Sequence, residues 1–204
     1  GKTVTNARGS CKRGDKKYVL TDLPGCYSLM AHSKEEEVAR DYILFEKPDA
    51  VCVICDATCL ERNLQLVIET IEITDNVIVC VNLLDESRRN GIEIDLPKLS
   101  LLLGVPVIGT EARSGKGIKK LLDAVHEKYI PTAYPDYCDE LKEAISELIP
   151  YTEKYHCSVS PSWLALRLIE YNESLIKSID EHLKTDFYSN EEIHSIINTI
   201  RSRL

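Results

Sequence analysis

The stretch "NVIVCVNLLDES", residues 76–87, decides how the rest of the chain is read. Val77, Ile78, Val79, Cys80 and Val81 form an unbroken apolar run rich in β-branched residues, the pattern of a buried strand. Asn82 and Asp85 follow at its carboxyl end. Guanine presents its N1–H and exocyclic amine side by side, and one carboxylate accepts both; adenine has no such pair. Asp85 is therefore placed to select guanine, and the Asn82 amide to bond the other edge of the base and fix its loop. N-x-x-D alone is a weak signal, so its weight depends on what flanks it.

On the N-terminal side, "LERNLQLVIETIEI" (60–73) is amphipathic, with Leu60, Leu64, Val67, Ile68 and Ile71 at helical spacing. Before it, "DAVCVICD" (49–56) reads as another buried strand. "SKEEEVARDYILF" (33–45) predicts a helix with Ser33 as N-cap, acids in the first turn, and Val38, Tyr42 and Phe45 on one face. Further upstream, "TVTNARGSCK" and "KKYVLTD" alternate around Arg13-Gly14-Asp15, a hairpin signal. On the C-terminal side come a helix in "DLPKLSLLLG" closing on Gly104, a short strand in "VPVIGT" and a helix in "GIKKLLDAVHEKY".

Strands alternating with helices predict an α/β fold: a mostly parallel sheet with helices on both faces, apart from the first hairpin. Ligands of such sheets bind beyond the carboxyl ends of the strands. Asp22, Asp56, Asn82 and Thr110 each follow a strand. From "IPTAYPDY" (130–137) the character changes to a linker, and "DELKEAISELI", "PSWLALRLIEY", "ESLIKSIDEHL" and "SNEEIHSIINTIRSRL" show only helical periodicity. The expected domains are 1–130 and a small all-α domain at 131–204, with Trp163 as a core anchor.

The 204 residues carry a net charge of −8, which argues against a generalised nucleic-acid or anionic-membrane surface. No apolar run approaches the roughly 18 residues that span a bilayer. Without an initiator Met or a signal peptide, the sequence reads as a soluble piece of something longer. Eight cysteines suggest metal or disulfide chemistry, but Cys52 and Cys55 lie three apart on a strand and point to opposite faces. The other six lack ligand spacing, as do the five histidines. Cysteine is read as a small core residue in a reducing setting, and no iron site is expected in these domains.

Two further pieces complete a nucleotide constellation. In "LTDLPGCYSL" (20–29), Asp22 ends a strand and can hold Mg²⁺, and Gly25 lets its N–H approach a terminal phosphate. In "IGTEARSGKG" (108–117), Ala112 offers a backbone N–H where a carbonyl of the base could lie. The three pieces in this order, each at a strand end, point to a guanine-nucleotide site.

The motifs "DLPGCYSL", "EEEVARDYILFEKPDA", "DATCLERNLQL", "NLLDE" and "GIEIDLPKLSLLLGVPVIGTEARSGKGI" strongly resemble the cytosolic domain of the FeoB family of prokaryotic ferrous iron transport proteins. The resemblance runs from Gly1 to about Tyr129, and the tail with "WLALRLIE" looks like the family's helical spacer (GDI-like) domain. It implies a Ras-like P-loop GTPase sheet, GTP and GDP as ligands with Mg²⁺ and K⁺, and slow GTP hydrolysis that regulates ferrous iron uptake. The implied location is the cytoplasmic face of the plasma membrane, with the membrane-embedded permease part of the same parent chain as partner. Homo-oligomerisation is left open.

The opening "GKT" spells the end of a phosphate loop, yet residues 3–8 alternate like a strand instead of starting a helix. By resemblance, Gly1-Lys2-Thr3-Val4 opens the first switch region, and Thr3 is the switch threonine that reaches Mg²⁺. The G domain is then expected to lack its first strand and P-loop, leaving an open seam between the "YVLTD" and "VCVICD" strands. Cys26 stands where the family usually has Thr, Glu111 where Ser is common, and no Gln follows Gly25 to orient the attacking water. Residues 34–37, Arg62 and Asn63 are read as ordinary solvated helix positions. Two other readings stay open: a non-catalytic interaction module in this form, and a soluble GTPase of ribosome or RNA maturation, which would want a basic appended domain.

Overall fold

Three of the apolar runs pair side by side, in register, into one parallel sheet. In the computed structural model, strands β3 (Val51–Asp56), β4 (Val77–Asn82) and β5 (Val107–Gly109) are ordered β3-β4-β5. Ile54 pairs with Cys80, Asp56 with Asn82, and Val81 with Gly109. The structure describes residues 7–30, 33–127, 129–133, 135–154 and 159–204. His32, His156 and Cys157 lie outside them, as do the first six residues.

Strands β1 (Ala7–Arg13) and β2 (Lys16–Asp22) form the expected antiparallel hairpin around Gly14, whose φ of +59° suits the turn. The hairpin forms a sheet of its own and shares no ladder with β3. Val19 on β2 and Ile54 on β3 are each 68% exposed, so apolar side chains face solvent on both of these strands. Among the described residues the β3 edge away from β4 is unpaired, and such an edge is a site where another strand can pair.

Helix α1 (Lys34–Asp41) is capped by Ser33, whose hydroxyl accepts the Glu36 N–H at 3.2 Å. It continues into a wider, π-type turn at Tyr42–Glu46. Ala39, Arg40, Ile43 and Leu44 are buried, whereas Val38, Tyr42 and Phe45 are half-buried. The simple 3.6 spacing placed the stripe one residue off. Helix α2 (Leu60–Ile73) buries Val67 and Ile71 as its spacing requires, but Ile68 turns outward and Glu69 and Thr70 turn inward.

Helix α3 (Leu84–Arg89) is too short for periodicity to reveal. Helix α4 (Leu96–Leu103) is capped by Asp95 and ends on Gly104 at φ +67°. Helix α5 (Ile118–His126) carries Asp123, which pairs with Arg13, and His126, which bonds Lys16, so the hairpin tip lies along it. The core under the sheet gathers Val53, Cys55, Val67, Ile71, Val79, Val81 and Val107. Cys55 faces into it while Cys52 is exposed, which puts the C-x-x-C thiols on opposite faces.

The chain divides into two units, Gly1–Tyr134 and Pro135–Leu204. The second is helical throughout its described residues: α6 (Asp139–Glu153), α7 (Pro161–Glu170), α8 (Glu173–Leu183) and α9 (Glu191–Arg201). Trp163, Leu164, Leu168, Ile176, Ile179, Ile193 and Ile197 form its interior. No described helix is long and apolar enough to cross a membrane.

Candidate functional site

The parallel register delivers Asp56, Asn82 and the Gly109–Thr110 corner to one edge of the sheet, because each stands at or just past the end of a paired strand. Backbone bonds tie that edge together: Ala57 N–H donates to the Asn82 carbonyl at 2.9 Å, and Thr110 N–H to the Val81 carbonyl at 2.8 Å.

Asn82 is the organiser. Its Oδ1 accepts the Thr110 hydroxyl at 3.0 Å and the Ala112 backbone N–H at 3.0 Å. One side chain on β4 thus fixes the loop after β5, and two of the sequence-predicted base contacts are brought together. The chain leaves Asn82 through Leu83, which sits in the left-handed region at φ 62°. A non-glycine residue there is strained, and α3 begins at the next residue. Asp85 follows on the first turn of that helix, where the macrodipole favours a carboxylate. Arg89, one turn on, bonds Asp85 Oδ2 at 2.5 Å.

Glu111, the departure from the family pattern, is used structurally. Its carboxylate pairs with Arg88 of α3 and, at 2.8 Å, with Lys116, while its backbone bridges that of Lys116. The two cations, Lys116 first, hold its carboxyl below the usual carboxylate range. The loop then returns through Gly117 at φ +85°, where an added Cβ would lie 2.2 Å from the Gly109 carbonyl oxygen. Only glycine closes this turn.

Asp56 is held by its own loop. Its Oδ1 accepts the Thr58 hydroxyl and N–H, each at 2.7 Å, and these bonds keep its pKa low. Asn63 of α2 accepts the Asp56 N–H at 2.8 Å. Asn63 therefore anchors this strand end, a role that its helical position did not disclose.

Asp22 closes β2 and is exposed, and Gly25 is exposed with nothing within 4 Å of an added Cβ. Among the described residues, neither bonds to Asn82, Asp85 or Ala112, so the structure assembles the base group and the Asp22–Gly25 loop separately. Thr3 lies outside the described residues. Cys26, beside Gly25, is pushed up to about 11, first by burial and then by Glu36 and Glu69, so its thiol is neutral at physiological pH. Asp22 forms no ion pair among the described residues, and its exposed oxygens are the hard donors that Mg²⁺ takes. One depression is lined by residues 57–62 with Ile92 and Ile94, and another by Tyr188, His194 and their neighbours in the helical unit.

Comparison with known proteins bears on the family of the chain. Residues 1–125 match the family of ferrous iron transport protein B, and residues 137–204 match the FeoB cytosolic helical domain. A curated relative, the Fe(2+) transport protein A/Fe(2+) transporter FeoB fusion protein of Porphyromonas gingivalis, is 32% identical over 194 residues, covering 90% of this chain and 23% of its own length. The chain thus spans about a quarter of the curated relatives it matches. Among solved structures, NFeoB from S. thermophilus bound to GDP, AlF4⁻ and K⁺ superimposes with a TM-score of 0.79 at 32% identity, over 99% of this chain and 78% of that one. The FeoB G-domain from Methanococcus jannaschii is 43% identical, with a TM-score of 0.57, over 59% of this chain and 80% of its own.

Proposed function

The chain belongs to the ferrous iron transport protein B (FeoB) family, and from that premise we propose that its N-terminal unit binds guanine nucleotides, hydrolyses GTP slowly and regulates ferrous iron uptake. The observation that carries the reading is the grip of Asn82 on Ala112 and Thr110, with Asp85 three residues on. In this reading Asp85 accepts the two donors of guanine, and the Ala112 N–H donates to its carbonyl. Asp22 and Thr3 would hold Mg²⁺, which would neutralise charge on the phosphates. Gly25 offers its N–H to the γ-phosphate.

K⁺ comes to this chain only by analogy with the S. thermophilus structure bound to it. The domain boundary near residue 130 and the role of residues 131–204 as a helical spacer belong to the same proposal. So do the location at the cytoplasmic face of the plasma membrane and the partnership with a membrane-embedded permease of the parent chain. Loss of the γ-phosphate would release the segments around Thr3 and Gly25, and the helical domain would carry that change onward.

The test is binding of labelled GDP against ADP, with Mg²⁺ and K⁺ present. Saturable binding that prefers GDP is the expected result. A folded chain that binds both alike, or neither, contradicts the reading.

A further inference from the structure

Helix α2 meets the segment after Gly25 along a single stripe. Arg62, Gln65 and Glu69 recur at spacings of three and four, so they share one face of the helix. Residues 27–29 lie against that stripe. The Arg62 guanidinium stacks over the Tyr27 ring, 3.9 Å from its centroid. The Ser28 hydroxyl donates to the Glu69 carboxylate, 3.0 and 2.9 Å from its two oxygens, and the Leu29 N–H donates to it at 2.5 Å. Gln65 donates from the helix itself at 2.9 Å, and Ser28 in turn accepts the Met30 N–H at 3.0 Å. Leu29 is buried against Ala39 and Ile43, with Leu66 and Ile73 of α2 packed beside them.

Glu69 is the unusual member. It is buried, and among the described residues no Lys or Arg pairs with it. A buried carboxylate without a countercharge is costly unless its lone pairs are filled. Here the donors that fill them come chiefly from the loop. Packing alone could hold Leu29 in place with an apolar residue at 69; a carboxylate adds a directional hold that is lost if the loop moves.

We propose that Glu69 is a positioning residue for the nucleotide switch: it latches residues 28 and 29 to α2 and so sets the reach of the Gly25 N–H, three residues away. The proposal rests on the guanine-nucleotide reading and adds to it a fixed point against which the Asp22–Gly25 loop moves. Through Arg62, Gln65 and Glu69, α2 carries the position of that loop to Asn63 and so to the Asp56 strand end.

The test uses the whole chain and three variants, Glu69→Ala, Glu69→Gln and Ser28→Ala, checked for folding by circular dichroism. Amide exchange at Leu29 reads the latch directly. Loss of a bond to a charged acceptor should speed exchange by roughly ten- to a hundredfold in Glu69→Ala. Glu69→Gln keeps one acceptor oxygen and should restore most of the protection. Ser28→Ala removes one loop donor without altering the helix, which keeps the test valid if Glu69→Ala fails to fold.

The second readout is the affinity ratio of a non-hydrolysable GTP analogue to GDP, alongside the ratio of GDP to ADP. The latch predicts that Glu69→Ala and Ser28→Ala lower the first ratio and leave the second unchanged, with Glu69→Gln close to wild type. Unchanged Leu29 exchange, or a first ratio that does not move, overturns the latch while leaving the nucleotide reading intact. Absence of any guanine-nucleotide binding by the wild-type chain overturns both.

Discussion

Replacing Asn82 by alanine removes two bonds at once, to the Thr110 hydroxyl and to the Ala112 N–H, each 3.0 Å long. A neutral hydrogen bond contributes about 0.5–1.5 kcal/mol net, so the pair sums to roughly 1–3 kcal/mol. The two halves of that loss fall differently. Thr110 is fully buried but keeps Cys80 Sγ as a second partner at 3.3 Å, and Ala112 is exposed, so water replaces its lost acceptor. The fold should therefore lose only about 1 kcal/mol, a fall in melting temperature of roughly 3–5 °C. Nucleotide binding should lose more, because the loop that presents Ala112 must then be ordered by the ligand. The full range corresponds to roughly a 5- to 150-fold weaker GDP affinity. Fluorescence titration with labelled GDP reads the affinity, and thermal unfolding followed by circular dichroism reads the stability. Thr110→Val removes one of the two bonds and should fall between wild type and Asn82→Ala. If Asn82→Ala binds GDP as tightly as wild type, Asn82 is not the organiser of the base loop and the reasoning fails.

Asp85→Ala should cut GDP affinity at least roughly tenfold, since bonds to a charged acceptor are worth about 1.5–3 kcal/mol each, and should leave ADP affinity unchanged. Arg89→Ala, which only frees Asp85 from its partner, should weaken GDP binding far less; competition titrations separate the two. Gly117→Ala forces a side chain into a left-handed turn and against the Gly109 carbonyl, and should destabilise the N-terminal unit by about 1–3 kcal/mol in urea unfolding. Glu111 has its carboxyl held low by Lys116 and Arg88, so its contribution to loop order is complete above the ordinary carboxylate range and is lost as pH falls through its lowered folded value. GDP dissociation should quicken in acid and in high salt, and Glu111→Gln should flatten both dependences in stopped-flow traces.

The parallel sheet was legible because its strands are apolar runs with no competing helical period, and with it the strand-end position of Asn82. The linear pattern failed where two neighbouring stripes have the same helical spacing. Val38 and Tyr42, four apart, are half-buried, whereas Ala39 and Ile43, also four apart, are buried. Helix α3 escaped notice because it has six residues and begins from a strained Leu83. Asn63 and Glu69 act through partners 7 and 40 residues away, which no local spacing reveals. Glu69 left no local trace: by helical spacing it shares the face of the exposed Arg62 and Gln65, away from Val67 and Ile71, and its burial comes from residues 27–29 packing on that face. Glu111 was visible as a departure from the family pattern, but its pairing with Arg88 depends on α3 and so became readable only in three dimensions.

The central claim is that Asn82, Asp85 and Ala112 read a guanine base. Two-dimensional ¹H–¹⁵N spectra of the chain, recorded while GDP and then ADP are added with Mg²⁺ and K⁺, test it most directly, because they detect weak as well as tight binding and locate it. The account predicts that GDP shifts the amides of Asn82, Asp85 and Ala112 in a saturable way and that ADP leaves them in place. Equal shifts with both nucleotides, or none with GDP at these three amides, would contradict it.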